Sequence, residues 1–248
     1  MKTIFPFLIA LLCFTAFFVK VSGQVISSTP SLNKADSSKA QNTPFTIVYD
    51  IVVKSGKRKT DIEETYNGGT KAVFVNKDKA RIRLVSLMRI QSLFFYSVNT
   101  PNPVSMVKES GKKKYKYNLT NDQWNLYNDK YTNDSCVFSN DSLFILNYLC
   151  RKAVIYLKDG RLLTTYYTTQ FKPFNSKIEP AFKDIPGVVL QYEYAYKKGS
   201  ILYTAAKISK NPIQDNVFKI PTKGYTLKKF SANSSTINEK DSPDDSID

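Results

Sequence analysis

Histidine is missing altogether from the 248 residues. That absence removes the Ser-His-Asp and Cys-His nucleophilic sites and most zinc sites from consideration. Glycine is scarce, and its nine copies form no phosphate-cradling loop and no dinucleotide fingerprint. With only three cysteines and no second cysteine pair, a metal centre lacks a ligand set, so neither metal nor cofactor is expected. Acids are outnumbered, 21 against 36 Lys and Arg, which leaves a net charge of +15. Beyond the N-terminus no run is long and apolar enough to span a bilayer as a helix.

The N-terminus supplies what the rest lacks. Lys2, the apolar run from Ile4 to Val19, and the small residues of Val21-Ser22-Gly23 form the pattern of a secretory signal peptide over 1–23. The expected localisation is therefore exported: periplasm or outer cell surface. Removing Lys2 and Lys20 leaves the mature chain at about +13. For an exported protein that charge suits anionic lipid, lipopolysaccharide or acidic glycan rather than nucleic acid, unless the lysines only decorate solvent faces and strand edges. Cys136 and Cys150 survive cleavage into an oxidising compartment, where they are either one disulfide or two buried thiols.

Residues 24–43, rich in Ser, Thr, Asn, Lys and Pro, read as a flexible leader, and 231–248 as a disordered tail. Between them, 44–230 reads as a single antiparallel β domain. Phe45, Ile47, Tyr49, Ile51 and Val53 alternate with other residues, the period of a half-buried strand. Thr70–Val75, Arg81–Leu87, Ser92–Val98 and Lys114–Leu119 read as further strands, with Pro101 and Pro103 ending the fourth. Trp124–Tyr127 reads as pairing nearby, and Leu143–Tyr148 as a short strand or one helical turn. Asp159-Gly160, flanked by Lys152–Leu157 and Leu162–Tyr167, is a strong hairpin signal. Val188–Tyr196 and Ile201–Ile208 make a second hairpin, and Val217–Ile220 a last strand. No amphipathic helix of ten residues is visible. The expected fold class is all-β and mainly antiparallel: a curled sheet, half-barrel or open barrel.

Chemistry-bearing groups are few. Carboxylate pairs for glycoside hydrolysis would have to come from Asp61, Glu63, Glu64, Glu179, Asp184 and Glu193, which fit solvated turns as well. Lys112–Tyr117 interleaves basic and aromatic residues, as single-strand nucleic-acid surfaces do, but one strand with Lys on one face and Tyr on the other gives the same pattern.

Tyr148–Ala153, Asp159–Arg161, Tyr166–Thr168 and Asp184–Val189 form an ordered set of short motifs that resembles the GLPGLI family, exported proteins of Bacteroidetes. Tyr148-Leu149-Cys150-Arg151-Lys152-Ala153 resembles its GY-x-C-x-KA segment. Asp159-Gly160-Arg161 and Tyr166-Tyr167-Thr168 resemble its GR and WYT elements. Asp184-Ile185-Pro186-Gly187-Val188-Val189 resembles the signature itself. Asn147 stands in place of the first Gly, Tyr166 in place of Trp, and Asp184 in place of the leading Gly. A sister family with a lipoprotein-carrier-like β fold fits too. The resemblance implies an exported protein of unknown biochemical role with an apolar groove in a curled sheet, and it brings no catalytic residues. From the residues themselves, Pro186 and Gly187 suit a turn that starts a strand.

The expectation is thus a non-enzymatic binder of a lipid-like, apolar or amphipathic ligand. Phe94, Phe95, Tyr96, Tyr115, Tyr117 and Trp124 are candidate groove residues, or plain core. The alternatives are a structural or protein-interaction component of the cell envelope and, further off, a carboxylate-based hydrolase.

Overall fold

A computed structural model describes residues 44–55, 61–96, 100–171, 178–196 and 199–231. The proposed signal peptide, the leader and the tail beyond Ser231 lie outside the described residues. No helix among the described residues is long and apolar enough to cross a membrane.

Among the described residues, twelve strands form one sheet that does not close into a barrel. They are β1 (Phe45–Ser55), β2 (Thr70–Asn76), β3 (Lys79–Val85), β4 (Arg89–Tyr96), β5 (Val104–Ser110), β6 (Lys113–Leu119), β7 (Asn133–Ile145), β8 (Tyr148–Leu157), β9 (Leu162–Thr168), β10 (Val188–Tyr196), β11 (Gly199–Ser209) and β12 (Thr226–Leu227). The order across the sheet is β12-β6-β5-β4-β3-β2-β1-β11-β10-β9-β8-β7. Every pairing is antiparallel except the short β12, which runs parallel to β6. Among the described residues two short α-helices, α1 (Asp61–Tyr66) and α2 (Asn121–Tyr127), interrupt it.

The period of two sorts side chains onto two faces. On β1, Phe45, Ile47, Tyr49, Ile51 and Val53 are all buried on one face. Register carries that face outward through Lys71, Val73 and Val75 of β2, opposite Tyr49, Ile47 and Phe45, to Leu84, Ile82 and Ala80 of β3. In the other direction it runs through Tyr203 of β11 to Tyr192 of β10 and Thr165 of β9. This face is concave. β1 and β8 lie four strands apart, roughly 19 Å in a flat sheet. Yet Phe45 and Tyr148, one from each, both pack on Phe171, at 5.7 and 5.0 Å between ring centroids.

The convex face is covered in part by the C-terminal segment. Tyr96 donates to the Phe218 carbonyl at 2.7 Å and Arg81 to the Val217 carbonyl at 3.0 Å. The Arg81 guanidinium also lies 4.8 Å from the Phe94 ring centroid. The chain then adds β12 to the sheet edge and brings Phe230 against Tyr127 of α2.

Four local readings change. Val104–Ser110 is a strand where the prolines signalled only an end. Val104, Ser105, Met106 and Val107 are all buried, so the strand is covered on both faces and its alternation is erased. The long β7 is an edge strand with two irregularities in its register and mostly exposed side chains, and so shows no apolar period. Trp124–Tyr127 is not a strand but part of α2. Its start is fixed by a capping box: the Gln123 amide donates to the Thr120 hydroxyl oxygen, and the Thr120 amide to the Gln123 side chain. Around Val217–Ile220 the chain forms a 3-10 turn, Asp215–Phe218, rather than a strand.

Cys136 and Cys150 are free thiols in the structure, Cys150 buried and Cys136 half-buried. Cys136 opposes Ile155 on β8, whereas Cys150 opposes Leu143. The rungs are separated by roughly 16 Å of strand rise, well beyond the ~7 Å that a disulfide bridges between Cα atoms. Burial pushes the Cys150 thiol up to about 11. Burial likewise holds the Tyr49 and Tyr192 phenols well above their usual range. The unfolded chain gives up these protons at lower pH than the folded one. The folded state therefore binds more protons above pH ~9, and its stability falls as pH rises through that window. Urea unfolding at stepped pH should show a midpoint level between pH 7 and 8 that drops steeply from pH 9 to 11. A midpoint unchanged across that range would contradict the burial of these three groups.

Candidate functional site

The concave face carries a half-open cavity of about 160 Å³. Its sheet floor is built by Lys71 of β2, Ile82 and Leu84 of β3, Gln91 and Leu93 of β4, Tyr192 and Tyr194 of β10 and Tyr203 of β11. Trp124 and Tyr127 of α2, Tyr131 just after it, and Ile178–Phe182 form the walls. The walls come from connections rather than strands, as a sheet whose concave face needs cover requires. Pro180–Phe182 make one 3-10 turn that lays Phe182 against Tyr192, 5.2 Å between centroids. The capping box of α2 seats Trp124 edge-on to Phe95, at 5.3 Å.

One ion pair stands in this apolar setting. The Lys71 ammonium is bonded to Glu179 Oε1 and donates to the Tyr192 hydroxyl at 2.8 Å. It also faces the rings of Tyr192, Tyr49 and Tyr203 at 4.9, 5.3 and 5.8 Å. Tyr192 and Tyr203 are themselves stacked, 4.4 Å apart and nearly parallel. Burial first, then the neighbouring Tyr203 and Glu179, keep Tyr192 protonated, so it meets Lys71 as a neutral phenol. Tyr49 donates to the Val189 carbonyl at 2.7 Å, which fixes its ring beneath the lysine. The environment is a cation cage that this chain fills with its own lysine.

Of the six expected groove residues, Trp124 lines the cavity. Phe95 and Tyr117 share the face but are buried in the core behind it. Tyr115 also lies on this side of β6 and is covered by Lys228, 5.3 Å from its ring. Phe94 and Tyr96 alternate onto the convex face, under the C-terminal segment. Adjacent residues of one strand cannot both face one groove, which separates Phe94 from Phe95.

The motif residues frame the cavity without lining it. Asn147 stands at φ +66 in the β7–β8 turn, a position that suits the motif's glycine and that Asn tolerates. Cys150 and Ala153 are fully buried small residues of β8, and the Ala153 carbonyl accepts from the Thr165 hydroxyl at 2.9 Å. Asp159 and Gly160, the latter at φ +84, make the β8–β9 turn. Asp159 accepts from Arg161 Nε at 2.7 Å and so aims the guanidinium at Tyr131 and Tyr194, 4.9 and 5.6 Å from their centroids. Both of those tyrosines line the cavity. Tyr167 and Thr168 are buried in β9, and Pro186 is exposed. Gly187 is needed for close approach rather than for the backbone freedom of a turn: a Cβ there would lie 2.1 Å from the Thr168 carbonyl oxygen.

The carboxylates are dispersed. Glu179 is in the cavity; Glu193 is on the opposite face, with Lys54 and Ser200; Asp184 is exposed. Glu63 lies in α1, not on a strand face. Lys71 and Glu179 were missed by sequence reasoning. A lysine at an inward position of an alternating strand, between Thr70 and Ala72 and in phase with Val73 and Val75, was the available signal.

No family model matches the chain, and no curated protein matches it. Among solved structures it is similar to PNGF-II, with 15% identity and a TM-score of 0.46, covering 78% of this chain and 32% of that one. The chain thus spans about a third of the length of that protein. It is also similar to an uncharacterized conserved protein from Thermus thermophilus (9% identity, TM-score 0.43, 77% and 93% covered). A third is a β-barrel-like protein of a domain of unknown function from Brucella abortus (9% identity, TM-score 0.36, 68% and 98% covered).

Proposed function

We propose that this is an exported, non-enzymatic protein that holds a small apolar or amphipathic ligand in the concave face of its sheet, and that it belongs with the GLPGLI proteins or a sister family. The observation that carries the reading is the cavity, lined by Trp124, Tyr127, Phe182, Tyr194 and Leu84 and open on one side. A few polar groups among apolar and aromatic walls is the composition of small-molecule sites. Glu179 is tied to Lys71 and no second carboxylate joins it in the cavity among the described residues, which favours binding over paired-carboxylate hydrolysis. Trp124 is the chain's one tryptophan, so its emission reports directly on the wall. Titrating the detergent-free protein with 1-octanol should shift that emission saturably. An emission that stays flat, or drifts linearly with added solvent, would overturn the reading.

A second reading, an envelope interaction component, draws on the β7 side of the sheet. There Val137, Phe144, Leu149, Tyr156 and Leu162 are exposed beside a long edge strand.

A further inference from the structure

We propose that the ligand carries a carboxylate headgroup, which binds the Lys71 ammonium in place of Glu179. The inference rests on the groove-binding reading and names the chemistry of its ligand.

The two partners of the ion pair differ in depth. The Lys71 side chain is 8% exposed, that of Glu179 27%. The ammonium is held from below by the Tyr192 hydroxyl and three ring faces. The carboxylate reaches it from the solvent side, on a connecting segment that leads into the 180–182 turn. The fixed member of the pair is therefore the cation, and the exchangeable member the anion. A buried pair of this kind contributes little to folding, since apolar side chains of equal volume often do as well or better. What Lys71 adds to a floor that carries no other charge among the described residues is a seat for an anion.

Glu179 already shows what fits that seat. An entering carboxylate takes over the contact with Nζ, so the buried ammonium stays paired, and Glu179 turns outward into water. No covalent bond changes. The chain's excess of Lys and Arg draws anions towards it. Size limits the rest of the ligand. A cavity of about 160 Å³ compares with the ~150 Å³ that accepts a benzene ring. It encloses a ring or a short alkyl segment beside the headgroup, and a longer chain leaves through the open side.

The test compares octanoate with 1-octanol by Trp124 emission, in the wild type, Lys71→Met and Glu179→Gln. The wild type should bind octanoate about tenfold more tightly than 1-octanol, the difference expected of one charge-assisted contact. Lys71→Met should lose that preference and bind the two probes about equally, and Glu179→Gln should bind octanoate severalfold more tightly than the wild type. Equal affinity for the two probes, or a preference that survives Lys71→Met, would overturn the headgroup assignment and leave the groove reading standing. If Lys71→Met does not fold, Glu179→Gln decides, and no gain in octanoate affinity overturns the assignment. A wild type that binds neither probe overturns the groove reading and the assignment with it.

Discussion

Gly187→Ala should lower the stability of the domain by about 3 kcal/mol or more, the upper range for forcing atoms into a packed interior. The added Cβ would lie 2.1 Å from the carbonyl oxygen and 2.8 Å from the carbonyl carbon of Thr168, and 3.1 Å from Cα of Thr169. All three are backbone atoms, so no side chain can swing aside. Thr168 is paired with Val188, the next residue, so relief has to come from parting β9 and β10. Those strands carry Tyr192 and Tyr194, and with them part of the cavity floor. Gly160→Ala is the control. Nothing lies within 4 Å of its Cβ position, and only the φ of +84 opposes the change, at about 1–2 kcal/mol. Urea denaturation of the two variants should rank them in that order. Equal losses would mean that Gly187, like Gly160, is present for backbone freedom alone.

Trp124→Ala should cost about 3–5 kcal/mol, the range for removing a large buried aromatic. Trp124 is buried against Phe95 on one side and stacked on Tyr127, 5.8 Å away, on the other. Tyr127 in turn meets Phe230, so the loss spreads to the docking of the C-terminal segment. Trp124→Phe should recover more than half of the deficit by refilling the edge-on contact with Phe95. Thermal unfolding followed by far-ultraviolet circular dichroism measures both. A loss below about 1 kcal/mol for the alanine variant would show that α2 is not anchored through this ring.

The sequence was most readable where one face of a strand meets the core and the other meets solvent. β1 shows its alternation plainly, and the Asp159-Gly160 turn places β8 and β9 because few residues accept its backbone. Readability failed where that contrast fails. β5 is buried on both faces, and β7 is an edge strand whose bulges break the period. The capping box of α2, Thr120 to Gln123, was present to be read, but the aromatic density of Trp124-Asn125-Leu126-Tyr127 reads as strand. The cavity was the least visible feature, because Lys71 and Glu179 are 108 positions apart in the chain. Only the pairing of β1 with β2 and β11, and the return of the 178–182 segment across the face, bring them together. Trp124 alone carried the expected groove into the observed one, since aromatic content does not say which face a ring takes.

Native mass spectrometry of residues 24–248, produced in an oxidising compartment and purified without detergent, tests the central claim most directly. A binder of small apolar or amphipathic molecules should arrive with extra mass that organic extraction removes, and the extract should restore the Trp124 emission shift when added back. The bare chain should weigh what two free thiols require. A bare mass from the start, with an emission spectrum indifferent to extracts of the same cells, would contradict the claim and shift the account to the exposed β7 side of the sheet.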